Sequence, residues 1–302
     1  MMQKHWPLLL ILVGYLLVGG LFAAQVPAWQ APDEPAHYNY VRQLADGRLP
    51  IMAAGDYDQA YLDEIRGAQF APEYSVADIE YEDWQPPLYY LLLTPIFLLT
   101  NGSLLALRLA SLVIGLGVVW LAYAIARLLL PEAKWVAWST AVFVAFIPQH
   151  IAMLSSVNND SLSELLIALL LYLLLRWTTR AGIRTLGNDR RWLIGLGLTM
   201  GLGFLTKATV YLMAPVLGLV ILWQYWGTWQ RLFQAVVLLF APAFMLGAIW
   251  WVRNIAIYGG LDFLGKAAHD AVVVGQPRTV EWVNQYGVDG TIQRFFQTTF
   301  NS

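Results

Sequence analysis

The chain is dominated by long uninterrupted apolar runs, beginning with Trp6 to Val26. Several approach or exceed the ~20 residues that a helix needs to cross a hydrocarbon core, so they specify spanning helices rather than barrel strands. Composition agrees. The chain is 58% hydrophobic and 13% charged, with a mean hydropathy of +0.54, against roughly 25% charged residues in soluble domains. The expected fold class is therefore all-α, a polytopic transmembrane helical bundle in an integral membrane protein. A net charge of −2 excludes the electrostatic footprint of a nucleic-acid binder. With 0 cysteines there are no disulfides or thiolate metal sites, and the redox compartment stays open. The first run follows Lys4 as a signal peptide would, but no clear small-residue cleavage site comes after it, so it reads as a retained helix.

Spans are expected at about 6–26, 104–129, 135–155, 162–177, 192–208, 209–226 and 233–252. The shorter run Pro87 to Leu99 carries Pro87 and Pro95 and fits an interfacial or re-entrant segment better than a span. Charge bias arbitrates. If Pro87–Leu99 does not cross, Lys4, Arg127, Lys134, the cluster Arg176, Arg180, Arg184, Arg190 and Arg191, and Arg231 share one side, which is then cytoplasmic. Loop 27–103, the Asn158-Asn159-Asp160 turn and the tail 253–302 share the other, as in a multi-pass protein of the plasma (inner) membrane with an outward-facing loop. Tryptophans mark most proposed helix ends, from Trp6 and Trp29 to Trp250 and Trp251, as interfacial rings do. Only Trp120 falls mid-span.

The outer loop holds 12 of the 20 acidic residues and opens with Asp33-Glu34, two carboxylates at the mouth of the first membrane helix. Their position suggests chemistry at the bilayer surface. After Pro35, which suits a first helical turn, His37, Tyr40, Val41, Leu44 and Ala45 share one helical face and Gly47 stops the helix. This pattern predicts a helix lying on the membrane surface. A second short helix is expected around Asp58–Gly67. The acidic run Asp78–Asp83 ends in Trp84-Gln85-Pro86-Pro87-Leu88-Tyr89-Tyr90-Leu91, where the chain returns to the bilayer.

In order, these strings resemble the GT-C class of membrane glycosyltransferases over roughly residues 1–260: the exit acidic pair, PPLYYLLL, ALRLASLVIGLGVVWLAYAIARLL, NND, GLGFLTKATVYLMAPVL and IWWVRNIAIYGG. The nearest branch is that of protein O-mannosyltransferases and aminoarabinose transferases. The resemblance implies juxtamembrane helices in the first outer loop. It also implies transfer of a sugar from a polyprenyl-phosphate-linked donor to a lipid, glycan or protein acceptor on the outer face. Members of the class usually continue with further helices, so the chain reads as an N-terminal portion, with 253–302 as an outer loop.

Phosphate leaves without protonation, so one carboxylate suffices as general base for an acceptor hydroxyl, and cations stabilise the charge that develops on the phosphate. Asp33 matches the class's first-loop acid and sits near His37, which makes it the candidate base of an inverting transfer; Glu34 supports it, binding acceptor or metal. The competing role for Asp33 is a helix cap before Pro35. Asp160, with Asn158 and Asn159, is the second acidic candidate, and its competing role is a turn that caps the next helix. Lys207 interrupts an apolar stretch and would meet the lipid phosphate or snorkel to the headgroups. Arg253 is a further phosphate candidate or an interfacial anchor. Arg108 faces headgroups or the first-loop carboxylates. His37 and Asn159 complete the expected substrate-binding set. No cofactor is required; the pair Asp33 and Asp160 leaves room for a divalent cation. Two other readings compete: a transporter or flippase of a lipid-linked substrate, which would need more charges at depth and an inverted repeat, and a non-catalytic membrane assembly subunit.

Overall fold

The computed structural model describes residues 6–179, 186–276 and 279–300, and every regular element among them is helical. In chain order these are α1 (Trp6–Gln25), α2 (Glu34–Ala45), α3 (Gln59–Gly67), α4 (Leu88–Leu99), α5 (Leu104–Leu129), α6 (Lys134–Phe146), α7 (Pro148–Leu154), α8 (Asp160–Thr178) and α9 (Leu186–Phe204). A 3₁₀ turn (Ala208–Leu212) precedes α10 (Met213–Gln224), α11 (Trp229–Tyr258), α12 (Lys266–Val272) and the helical tail α13 (Thr279–Phe300), which breaks at Gly287. Of these, α1, α5, α8 and α11 are long and apolar enough to cross a membrane, and the bent pair of α6 and α7 would make a fifth.

One expected span is bent and two others meet at a break, each for a local reason. The segment 135–155 turns by 66° between α6 and α7. Pro148 begins α7, so the preceding Ile147 is pushed to an extended conformation (φ −66°, ψ 117°). The stretch 192–226 opens at Lys207, whose backbone is also extended (φ −160°, ψ 147°). There the 3₁₀ turn folds back on α9, and Gly203 makes room for it: a Cβ at 203 would stand 2.3 Å from Val210 Cγ1. The run 87–99 yields α4, whose 12 residues reach only about 18 Å at ~1.5 Å each, short of a ~30 Å hydrocarbon core.

Two cores build the bundle. One joins α1, α5, α6 and α7 through Tyr15, Leu112, Ala141 and Leu154; the other joins α8 to α11 through Leu170, Leu196, Met200, Leu217 and Leu239. Contact between α5 and α8 ties them together. Hydrogen bonds identify the two ends of the bundle. At one, Arg108 meets Ala23 and Lys207 meets Asp160. At the other, the buried Asp189 carboxylate accepts from Trp177 Nε1 and Tyr225 Oη, joining α8, α9 and the end of α10. Arg127, Arg176, Arg190 and Arg191 lie at this second end; Arg180 and Arg184 lie outside the described residues.

The loop 27–103 is a packed structure. Its helix α2 does not lie against lipid, because the apolar stripe expected to do so is covered by α4, where the Tyr40 and Tyr90 rings stack at 3.7 Å. The opposite face is occupied as well: Asn39 Nδ2 donates to the Val76 and Ile79 carbonyls, and Gln43 Nε2 to Asp83. The helix α3 starts with Asp58 accepting from the Tyr61 amide, and its Leu62 and Ile65 pack with Ile79, Tyr81 and Val273.

Helix α9 approaches α11 closely. A Cβ at Gly197 would stand 2.0 Å from the Leu239 carbonyl oxygen, whereas one at Gly195 would meet nothing within 4 Å. Small residues permit such approach inside membranes. Gly197→Ala should therefore destabilise the bundle by about 1–3 kcal/mol, as overpacking does, while Gly195→Ala leaves it unchanged or slightly firmer. Thermal unfolding of the two variants in detergent compares them directly; equal melting would refute this account of the interface.

Candidate functional site

The site begins with an ion pair. Glu34, at the start of α2, and Arg108, in the second turn of α5, are both buried and meet at 2.5 Å. Arg108 Nε donates to Glu34 Oε1 and one Nη2–H to Oε2. The remaining donors reach the Ala23, Val26 and Pro27 carbonyls, so all five guanidinium hydrogens are used. Glu34 is saturated too, accepting in addition from the backbone amides of Val157 and Trp29. The cation also satisfies carbonyls at the C-terminus of α1, where a positive charge is favoured. This knot joins the ends of α1, α2 and α5 to the turn before α8.

Its neighbour Asp33 is held differently. It is exposed, its backbone is left-handed (φ 59°), and its side chain makes no capping hydrogen bond. Instead the carboxylate accepts from Tyr81 Oη at 2.8 Å. Burial, then the Asp33 charge, holds the Tyr81 hydroxyl well above the usual phenol range, so it remains a donor. Glu82 comes next, half-buried at its surface but densely surrounded by protein, and accepting from Gln85 Nε2 at 2.8 Å. Its carboxyl is pushed up to about 8, first by burial and then by the Asp33 charge; Asp160 adds to this and Lys207 opposes it. Glu82 thus lies within electrostatic reach of all three.

Asp160 begins α8 and pairs with Lys207 Nζ at 2.6 Å, both side chains partly exposed. The turn is made by Asn158, whose Oδ1 accepts from the Asp160 amide, and not by the Asp160 carboxylate. Asn159 is fully buried: Nδ2 reaches Gln85 Oε1 and the Thr206 carbonyl, while Oδ1 has no hydrogen-bond partner among the described residues. His37 is also buried, with Nδ1 bonded to Tyr90 Oη at 2.8 Å. Burial, then the Lys207 charge, lowers its pKa to about 3, so it is neutral at any working pH. Arg253 sits further along the same end, 4.4 Å over the Trp250 ring, and donates to the Pro50 carbonyl and Asn254 Oδ1.

Of the residues singled out from sequence, Asp33, Asp160 and Lys207 have accessible side chains, all within electrostatic reach of Glu82. Glu34, Arg108, His37 and Asn159 are buried, and Arg253 fastens the end of α11 to the loop. Sequence reading missed Tyr81, Glu82 and Gln85, although the acidic run before Pro86-Pro87 pointed near them. It also missed the His150 Nε2 to Glu164 Oε2 pair at 2.7 Å, whose Glu164 lies one helical turn beyond Asp160. Among the described residues no group of three or more His, Asp or Glu side chains converges to hold a metal ion. Chemically, these groups offer a carboxylate for a hydroxyl proton, a cation for an anion, and a further acid with a raised pKa coupled to both.

A family model described as dolichyl-phosphate-mannose-protein mannosyltransferase matches residues 84–251. That range contains Arg108, Asn159, Asp160 and Lys207 but stops short of Asp33, Glu34, His37 and Arg253. No curated protein and no solved structure matches the chain.

The raised Glu82 pKa has a sign that can be checked. The unfolded chain loses this proton near 4.5 and the folded chain near 8. Between those values the folded state binds more protons, so this group's contribution to stability declines as pH rises. Glu82→Gln removes that decline and still accepts from Gln85. The variant should therefore melt above the parent, with a gap that widens from pH 5 to pH 8; a gap that is constant or narrows refutes the assignment.

Proposed function

The chain belongs to the dolichyl-phosphate-mannose-protein mannosyltransferase family, and from that premise we propose that it moves a sugar from a polyprenyl-phosphate donor to an acceptor hydroxyl at the outer face of the membrane. Membership makes it a membrane glycosyltransferase of mannosyltransferase type; donor, face and mechanism are our reading. The observation that carries it is the contrast within Asp33-Glu34, one carboxylate saturated inside the protein and the other at the surface without a capping role.

In this mechanism the acceptor oxygen attacks the anomeric carbon of the sugar in a single inverting displacement. Its proton passes to Asp33, the bond from the anomeric carbon to the phosphate oxygen breaks, and polyprenyl phosphate leaves with the electron pair. Lys207 meets the phosphate as its charge grows, exchanging part of its contact with Asp160 for the lipid anion. Tyr81 donates to Asp33 and orients it. Glu34 and Arg108 act as positioning residues, as do the neutral His37 and Asn159.

With Asp33→Asn, transfer from a radiolabelled polyprenyl-phosphate sugar should fall roughly 10²–10⁴-fold, the range of general base catalysis, while retention of the donor is unchanged. Lys207→Met should instead weaken donor retention. Equal transfer by wild type and Asp33→Asn removes Asp33 from the mechanism. The orientation is tested separately. The chain has 0 native cysteines, so Glu73→Cys and Arg190→Cys, both exposed, should react with an impermeant thiol reagent from opposite faces; labelling from one face overturns the topology.

A further inference from the structure

A cavity lies at the other end of the bundle. It measures about 750 Å³, sits between the start of α1 and the last turns of α5 and α8, and is lined by Leu8, Leu12, Trp120, Tyr123, Arg127 and Arg176 among others. We propose that this groove is a binding site for an anionic glycerophospholipid of the leaflet opposite the transferase site.

Its chemistry is divided as a phospholipid is. Leucines of α1 and α5 make an apolar channel for an acyl chain, and two guanidiniums stand at its mouth with no carboxylate among the described lining residues. Neither arginine forms an ion pair among the described residues. Arg127 spends one donor on the Pro131 carbonyl, and the exposed Arg176 side chain donates to nothing described. Guanidinium forks of this kind suit phosphate oxygens. Depth fits as well. From Arg108 to Arg127 there are 19 steps along α5, about 28 Å at ~1.5 Å each, close to the ~30 Å of a hydrocarbon core. With Arg108 at the loop end, Arg127 reaches the headgroup level of the other leaflet.

The groove also gives Trp120 a place. It is the tryptophan that falls mid-span, it is 45% exposed, and its ring lies 6.2 Å from that of Tyr172 across the wall between α5 and α8. An indole there flanks the upper acyl chain. The lipid would fill the wedge beside α1, only 28% of whose most apolar stretch consists of buried residues, and so hold α1 to the bundle. A free phosphate ion would satisfy the arginines but leave the apolar channel unfilled.

The full chain is reconstituted in phosphatidylcholine nanodiscs with or without phosphatidylglycerol, extracted into mild detergent, and its retained lipid measured with its melting temperature. Phosphatidylglycerol should be enriched about tenfold or more over phosphatidylcholine, as two basic groups near a headgroup provide, and should raise the melting temperature. Arg176→Gln, at an exposed and unpaired position, should fold normally and lose most of the enrichment; Arg127→Gln with Arg176→Gln should lose all of it. Phosphatidylglycerol with brominated acyl chains should quench wild-type fluorescence more than that of Trp120→Phe. Equal retention of the two lipids, unchanged enrichment in Arg176→Gln, or equal stabilisation by inorganic phosphate would overturn the proposal. None of these readouts depends on sugar transfer.

Discussion

The contact on which the loop end depends is the buried pair of Glu34 and Arg108. Burying two charges is costly, and the cost is met only when the geometry is good and every remaining donor and acceptor is used. Here it is: five N–H groups and both carboxylate oxygens are engaged, by three carbonyls at the end of α1 and two amides from separate segments. Removing one partner from such a pair typically costs about 3–5 kcal/mol, because the other is left buried and uncompensated. The knot brings four chain segments to one place, and Asp33 is covalently next to it.

Around that fixed point the loop end is arranged in degrees of ionisation. His37 stays neutral, with a pKa near 3. Glu82 and Asp83 are both pushed up to about 8 by burial, and the Gln43 bonds only partly offset this for Asp83. Protonating Glu82 limits repulsion beside Asp33 and Asp160. In the proposed reaction it also leaves Lys207 as the principal cation for an incoming phosphate, with the Arg253 guanidinium already occupied by the Pro50 carbonyl and the Trp250 ring.

The bundle was largely legible because lipid imposes one rule on each segment: α1 and α5 start and stop where their apolar runs do. The break at Pro148 was less so. Apolarity says nothing about direction, and Pro148 acts through local geometry inside an otherwise continuous run, whereas Lys207 already marked the boundary between two expected spans. The stripe on α2 was read correctly as apolar, but its cover was α4 and not lipid, since a stripe does not identify its partner. The Asp33, Asp160 and Lys207 candidates followed from polar residues at helix ends, yet the unequal fates of Asp33 and Glu34 depended on Arg108, 74 positions away. Glu82 escaped notice because its raised pKa comes from packing that no local pattern encodes.

Asp33 shows why inequality at this pair matters. A left-handed non-glycine residue carries a conformational cost, though a modest one for Asp, and a helix start normally recovers it when the side chain caps the first turn. Asp33 makes no such bond and turns to Tyr81. Its backbone is held by what flanks it: Glu34 is pinned to Arg108, and the His37 amide returns to the Asp33 carbonyl at 3.1 Å. Stability alone would be served as well by Asn, which adopts the left-handed region at least as readily. What Asn lacks is a carboxylate, and a carboxylate kept at the surface beside a locked ion pair is what a proton-accepting role requires.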